Sequence, residues 1–205
     1  MASIIIRPAT EQDIPSMLSV YFSAFSPSLF SQRCFPSSSP DVQAWQADKL
    51  RSQIGAARGN HVLIAESDSG SVLGWARWVR RPAAPSTKTI LSESDYPSSG
   101  DRALAVRLFQ ANADATCKHT MGESHWFLST IATAREAQRR GVGSALMQFG
   151  VDKADEEGWM AYLNSSPEGK GLYEKFGFRV VDESEIPELD IVQYHMKRVA
   201  RNKSS

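Results

Sequence analysis

Cysteine is scarce: the 205 residues contain two, Cys34 and Cys117. That is too few for the cross-linked frame of a small secreted domain, so a reducing, cytoplasmic setting is expected. Long apolar runs are missing too. The opening MASIIIRPATEQD holds a run of three, Ile4 to Ile6, too short for a secretory leader or a membrane span, and no later stretch is long enough either. No membrane partner is expected. Excess charge of one sign is also absent, since Lys plus Arg and Asp plus Glu both number 23. A broad polyanion-binding surface, and with it nucleic acid, is disfavoured, although a local basic site is not excluded. The histidines, His61, His119, His125 and His195, are scattered without metal-ligand spacing, so no metal is expected.

What is present reads as one ordinary domain, with 41% hydrophobic and 22% charged residues. IIIRPAT reads as an opening strand. In the helix 11–25, Ile14, Met17, Leu18, Tyr21, Phe22 and Phe25 share one face. A Ser/Pro-rich connector follows, then a helix from an Asp41 cap to about Arg58, closed by Gly59. His61–Glu66 and Val72–Val79 form a hairpin across Asp68–Gly70. From 81 to 124 the pattern weakens into Pro/Ser-rich loop and one helix within 101–119, an elaboration of the domain. HWFLSTIAT is a buried strand, and a helix runs from Gly141 to Glu157. WMAYLNS is the next strand. SPEGKGLYEKFGF is a short helix with Ser166 as cap, Pro167 at its first position and Gly177 as its stop. Two strands, FRVVDE and DIVQYHMKR, complete a domain of 1–198, with 199–205 as a flexible tail. The fold class is therefore α/β (α+β): one mixed, mostly antiparallel sheet of about seven strands flanked by helices. Its one parallel pair joins strands 126–133 and 159–165 through the 141–157 helix.

QRRGVGSAL, at the mouth of that crossover, invites a ligand. It fails the dinucleotide fingerprint G-x-G-x-x-G because Leu146 stands at the third glycine. It fails the phosphate loop because Ser144 and Ala145, not Lys and Ser/Thr, follow Gly143. What remains is a helix start whose free N–H groups point outward at the positive end of the dipole. The glycines let an anion approach, and Arg139 and Arg140 add charge at the rim. A bare tight turn fits this stretch as well. The next βα unit adds weight, because parallel strands bring both helix N-termini to the same sheet edge, beside the slot between them.

Two motifs then resemble the GCN5-related N-acetyltransferase superfamily. Gln138-Arg139-Arg140-Gly141-Val142-Gly143 matches its Gln/Arg-x-x-Gly-x-Gly/Ala signature, and GLYEKFGF, Gly171 to Phe178, is similar to its Leu-Tyr-Glu-Lys-x-Gly-Phe ending. The match is close over 125–182, weaker over IIIRPATEQDIPSM and lacking over 81–123. It looks most like the fungal and actinobacterial branch that includes small-molecule enzymes.

The resemblance implies acetyl-CoA as donor. Gln138, Arg139, Arg140, Gly141, Val142, Gly143 and Ser144 would hold its pyrophosphate, chiefly through backbone amides. Ile131, Ala132 and Thr133 would pair with its pantetheine arm as with an added strand. An amide near Ile131 or Ala132 would polarise the thioester. Ser166 stands where many members carry Asn, and would bond the pantetheine or only cap its helix. Tyr173, about two turns into that helix, would protonate the leaving thiolate.

The acceptor side stays open. Glu123, His125 and Glu136 are candidate bases, though each reads more simply as a surface group. Trp75, Trp78 and Trp126 would line an acceptor pocket or pack in the core. The expected activity is transfer to a primary amine, of a small molecule rather than a protein, by direct attack in a ternary complex in a monomer or homodimer. A non-catalytic CoA-binding module and a nucleotide-binding module are the rivals.

Overall fold

A computed structural model describes residues 3–55 and 59–201 of the chain. Its strands are β1 (Ile4–Pro8), β2 (Asn60–Ser67), β3 (Val72–Arg81), β4 (His125–Thr133), β5 (Met160–Ser165), β6 (Arg179–Ile186) and β7 (Ile191–Arg198). Its helices are α1 (Ile14–Phe25), α2 (Leu29–Cys34), α3 (Pro40–Gln53), α4 (Arg102–Thr120), α5 (Val142–Glu157) and α6 (Pro167–Lys175). The strands form one seven-stranded sheet in the order β1-β2-β3-β4-β5-β7-β6. Every neighbouring pair is antiparallel except β4 and β5. This is the expected single α/β domain.

Alternation along β3 separates the two faces of the sheet. Trp78 points to α5, where its indole N–H donates to the Leu146 carbonyl at 3.1 Å. Gly150 makes this approach possible: a Cβ there would sit 2.0 Å from the Trp78 ring. Trp75 points the other way, and its N–H donates to Met17 O in α1 at 2.9 Å. α5 and α6 therefore cover one face. α1 and α3 cover the first part of the other face, and α4 continues that cover over β5, β6 and β7.

Three expectations are corrected. The Ser/Pro-rich connector contains α2, which joins a second, smaller core of Cys34, Phe35, Tyr96, Leu104 and Leu108, with Phe30 and Phe109 packed against it. Local propensity did not reveal this helix because distant aromatics stabilise it. α3 begins at Pro40 behind Ser39, so Asp41 is not the cap; its carboxylate instead accepts from the Ser99 N–H at 3.0 Å. α3 also ends at Gln53 rather than near 58, with Ile54 already extended. Residues 56–58 lie outside the described residues, as do 202–205 of the expected tail. Within that tail, the Arg201 N–H donates to Asp155 at 2.6 Å.

The 81–124 segment is a strap and a helix. Its strap is pinned along α4, with Ala84 N–H donating to Gly122 O at 3.0 Å and Leu91 N–H to Gln110 Oε1 at 3.0 Å. No helix among the described residues is long and apolar enough to cross a membrane.

Candidate active site

The site begins where β4 and β5 part. They pair from His125–Met160 to Leu128–Leu163 and no further. β5 turns wholly to β7 through Asn164 and Ser165, while β4 runs on to Thr133 beside β3 alone. A register shift at this point leaves Ser129 as an extra residue opposite Arg77 and Trp78. Such a bulge bends its strand and raises its twist, which opens the fork. Ser129 to Thr133 consequently present an unpaired backbone edge, the kind an extended ligand can complete. Ile131, Ala132 and Thr133 all lie on it.

The glycine turn closes the end of the fork. Arg139 and Gly141 both have positive φ, 61° and 91°. For arginine this left-handed backbone costs about 1–2 kcal/mol, strain of the kind that collects at ligand-binding turns. The first helical bond of α5 is Ala145 N–H to Gly141 O, 2.9 Å. From Arg139 to Ser144, no backbone N–H has a partner among the described residues. These consecutive free donors sit at the positive end of a 16-residue helix, a setting suited to a phosphate or pyrophosphate. Arg139 and Arg140 are exposed and make no ion pair among the described residues. The Gln138 side-chain amide donates back to Thr133 O at 3.3 Å, tying the loop to the end of β4.

Two close approaches hold this turn to its neighbours. A Cβ on Gly74 of β3 would meet Val142 Cγ1 at 2.8 Å, so α5 starts directly on the sheet. A Cβ on Gly143 would lie 3.2 Å from Leu172 of α6 and 3.9 Å from Thr133 Oγ1. The end of β4, the start of α5 and the body of α6 therefore meet around Gly143.

Tyr173 stands on that body, 7% exposed, with its ring edge-on to Phe178 at 6.3 Å. Its hydroxyl has no hydrogen-bond partner among the described residues. Burial holds the phenol well above its ordinary pKa, so it stays protonated at neutral pH. Two neighbours were not singled out by sequence reasoning. A Cβ on Gly169 would come 2.9 Å from the Tyr173 ring, 3.4 Å from its hydroxyl and 3.2 Å from Ser165 Oγ. Gly169 thus makes room for the ring and sets the hydroxyl near the end of β5. The four-residue spacing of Gly169 and Tyr173 was the available signal. Ser166 precedes α6 as its cap residue, but its side chain makes no capping bond. Instead Ser165 Oγ donates to Ser166 O at 2.7 Å.

The acceptor candidates fare differently. Trp75, Trp78 and Trp126 are each at most 1% exposed, and Trp126 N–H donates to Glu157 at 3.2 Å, so all three are core. His125 is buried, with Nδ1 bonded to Glu123 O at 2.7 Å. It lies six residues before Ile131, about 20 Å along the strand. Glu123 and Glu136 are exposed. A pocket of about 210 Å³ lies instead between α1 and α2, lined by Tyr21, Phe22, Phe25, Gln32 and Phe35 among others. α1 itself touches the chain just beyond β4, where Ser23 Oγ accepts from Arg135 N–H at 3.3 Å.

Comparison with known proteins agrees with this architecture. A fold of the same kind occurs in an acetyltransferase from Corynebacterium glutamicum described as "histone acetyltransferase HPA2 and related acetyltransferase", 21% identical, covering 99% of each chain at a TM-score of 0.62. It also occurs in a Drosophila melanogaster polyamine N-acetyltransferase, 13% identical, covering 96% of this chain and 100% of that one at 0.68. The ribosomal-protein-S18-alanine N-acetyltransferase of Escherichia coli, 14% identical, covers 99% and 98% at 0.54. The acetyltransferase (GNAT) family model matches residues 25–178, a span that takes in the fork, the glycine turn and Tyr173. By that match the chain belongs to the acetyltransferase (GNAT) family and is an acyltransferase.

Proposed function

We propose that the chain moves the acetyl group of acetyl-CoA to a primary amine of a small molecule, by direct attack in a ternary complex. The observation that carries this reading is the run of unpartnered amides from Arg139 to Ser144, set at the end of an unpaired β4 edge. In this reading the amides of Arg139, Arg140, Gly141, Val142, Gly143 and Ser144 take the pyrophosphate, with Gln138 bracing the loop. Ile131, Ala132 and Thr133 pair with the pantetheine, and Ser166 lies beside its path. An amide at Ile131 or Ala132 donates to the thioester oxygen as charge develops there.

The neutral amine attacks the thioester carbon, the C–S bond breaks, and Tyr173 gives its proton to the departing sulfur. Tyr173 is raised by burial, and a thiolate born in the same dry slot is raised by the same cause, so the two stay matched. The amine's own proton leaves to solvent-linked groups on the opposite face. The aromatic pocket beside α1, about 210 Å³, is smaller than a drug-sized site and suits a small amine. The 81–124 strap and helix flank that same face. The matched motifs favour the fungal and actinobacterial small-molecule branch, working in the cytoplasm.

The test is thermal unfolding with CoA, acetyl-CoA, ATP and NAD, followed by thiol release across a panel of amines. At 100 times its Kd a ligand adds about 2.7 kcal/mol of stability. A shift with both CoA species and not with ATP or NAD is expected. No shift with either CoA species would sink the reading.

A further inference from the structure

On the face of the sheet opposite α5, two arginines lie together without a counter-ion. Arg77 and Arg81 project from the same side of β3, and their side chains converge. Arg77 donates from Nε and one terminal nitrogen to Asn60 Oδ1, at 2.9 and 2.7 Å, which draws it along the strand toward Arg81. Its other terminal nitrogen donates to Ser129 Oγ at 3.0 Å, at the bulge where β4 leaves β5. The Arg81 guanidinium lies over the Phe127 ring, 4.2 Å from its centre, and makes no hydrogen bond among the described residues.

The electrostatics around the pair run one way. Both side chains are partly withdrawn from water, and burial lowers both pKa values. Arg81 lowers Arg77 further, and Arg77 in turn acts on Lys49 of α3. Neither arginine forms an ion pair with a described carboxylate. Elsewhere the chain does pair such groups: Arg198, equally close to the sheet, holds Asp155 at 2.7 Å. Two adjacent, half-buried cations with no anion between them repel each other and lose hydration, and a bound oxyanion would relieve both costs.

We propose that Arg77 and Arg81 form the recognition site for an oxyanion carried by the acceptor, so that the substrate is an amine bearing a carboxylate or a phosphonate. This rests on the acetyl-transfer reading, since it concerns the other end of the same acceptor. Ser129, which Arg77 touches, is two residues from Ile131, about 6–7 Å along the strand. An amine held at the fork would therefore reach Arg77 through a spacer of a few carbons, while Arg81, whose guanidinium lies over Phe127 four residues from Ile131, would close on the oxyanion from the far side. The planar fork of a guanidinium suits the two oxygens of either group.

Matched amines test the idea. Acetyl transfer is measured with 5-aminovalerate, its primary amide and 3-aminopropylphosphonate, for the wild type, Arg81→Gln and Arg77→Lys. The expected result is a preference of at least about tenfold in kcat/KM for an anionic amine over the amide, the scale of a charged hydrogen bond. In Arg81→Gln the ratio falls to near one, mainly through KM. Arg77→Lys keeps the charge and should lower the ratio less. The phosphonate arm tells which oxyanion is preferred. Calorimetric titration of the same three amines in the absence of acetyl-CoA keeps the two readings apart. Selective binding of an anionic amine, lost in Arg81→Gln, supports the site even if no acetyl transfer is seen. Equal treatment of the anionic amines and the amide by wild-type protein in both measurements overturns it, as does a preference that survives Arg81→Gln, and neither result touches acetyl transfer itself.

Discussion

The two halves of β4, HWFL and STIAT, belong to one strand and have opposite fates. His125 to Leu128 are paired on both sides, with Trp126 and Leu128 sealed in the core. Thr130 to Thr133 are paired on one side only, against β3. One bulge at Ser129 and one departing strand separate them. The first half satisfies its backbone and serves stability. The second leaves backbone groups free, which a folded chain tolerates only where water or a ligand reaches them. In the proposed reading, cofactor binding rests on these unmade backbone bonds.

Substitutions beside the fork and in the paired half of β4 should separate stability from catalysis. The largest effect is expected from Tyr173→Phe. Loss of a general acid should lower kcat about 10²–10⁴-fold in a thiol-release assay. The unfolding midpoint in urea should barely move, since the hydroxyl has no protein partner. An unchanged kcat would remove Tyr173 from its role. Trp126→Ala does the reverse. It empties a large core position and should cost about 3–5 kcal/mol in urea unfolding, while the folded fraction still binds acetyl-CoA. A variant of normal stability would contradict the placement of this half in the core.

Smaller effects come from the glycines. Gly141→Ala forces a side chain into a backbone with φ 91°, a strain of about 1–2 kcal/mol, and should raise Kd for acetyl-CoA about tenfold. Titration calorimetry measures it, and wild-type affinity would mean that the left-handed turn does not matter for binding.

The pH predictions are smaller still. Because burial raises Tyr173, kcat should show no alkaline loss from this group below about pH 10; a limb near pH 8 that Tyr173→Phe abolishes would contradict this. On β1, Arg7 holds the Asp13 carboxyl well below the usual carboxylate range. A carboxyl depressed in the folded state stabilises the fold above its unfolded pKa, about 3.9. That contribution fades as pH falls below this value. Arg7→Gln should therefore reduce stability at pH 6 and flatten its decline in acid. An unchanged decline would show that the pair plays no part in it.

Legibility followed the range of the interactions involved. Gln138 to Gly143 and Gly171 to Phe178 could be read directly, because a helix start, a cap and a stop depend on a few adjacent residues. The seven strands were legible from β-branched runs and turns. α2 was not, since its partner Phe109 comes from α4, far along the chain. The core role of all three tryptophans was not settled either, because a strand's pattern does not say what packs above it. Nothing in the local sequence singled out Arg77 and Arg81.

The sequence by itself determined the order of the strands, the parallel crossover and the glycine-rich start of α5, since each depends on residue type and near-neighbour spacing. Tertiary structure alone decided where β4 and β5 part, which face Tyr173 approaches, and that two arginines share one surface without a carboxylate. Those are relations between strands and helices distant in the chain. They depend on which backbone edges find partners and which charges meet, and no local pattern of residues encodes that.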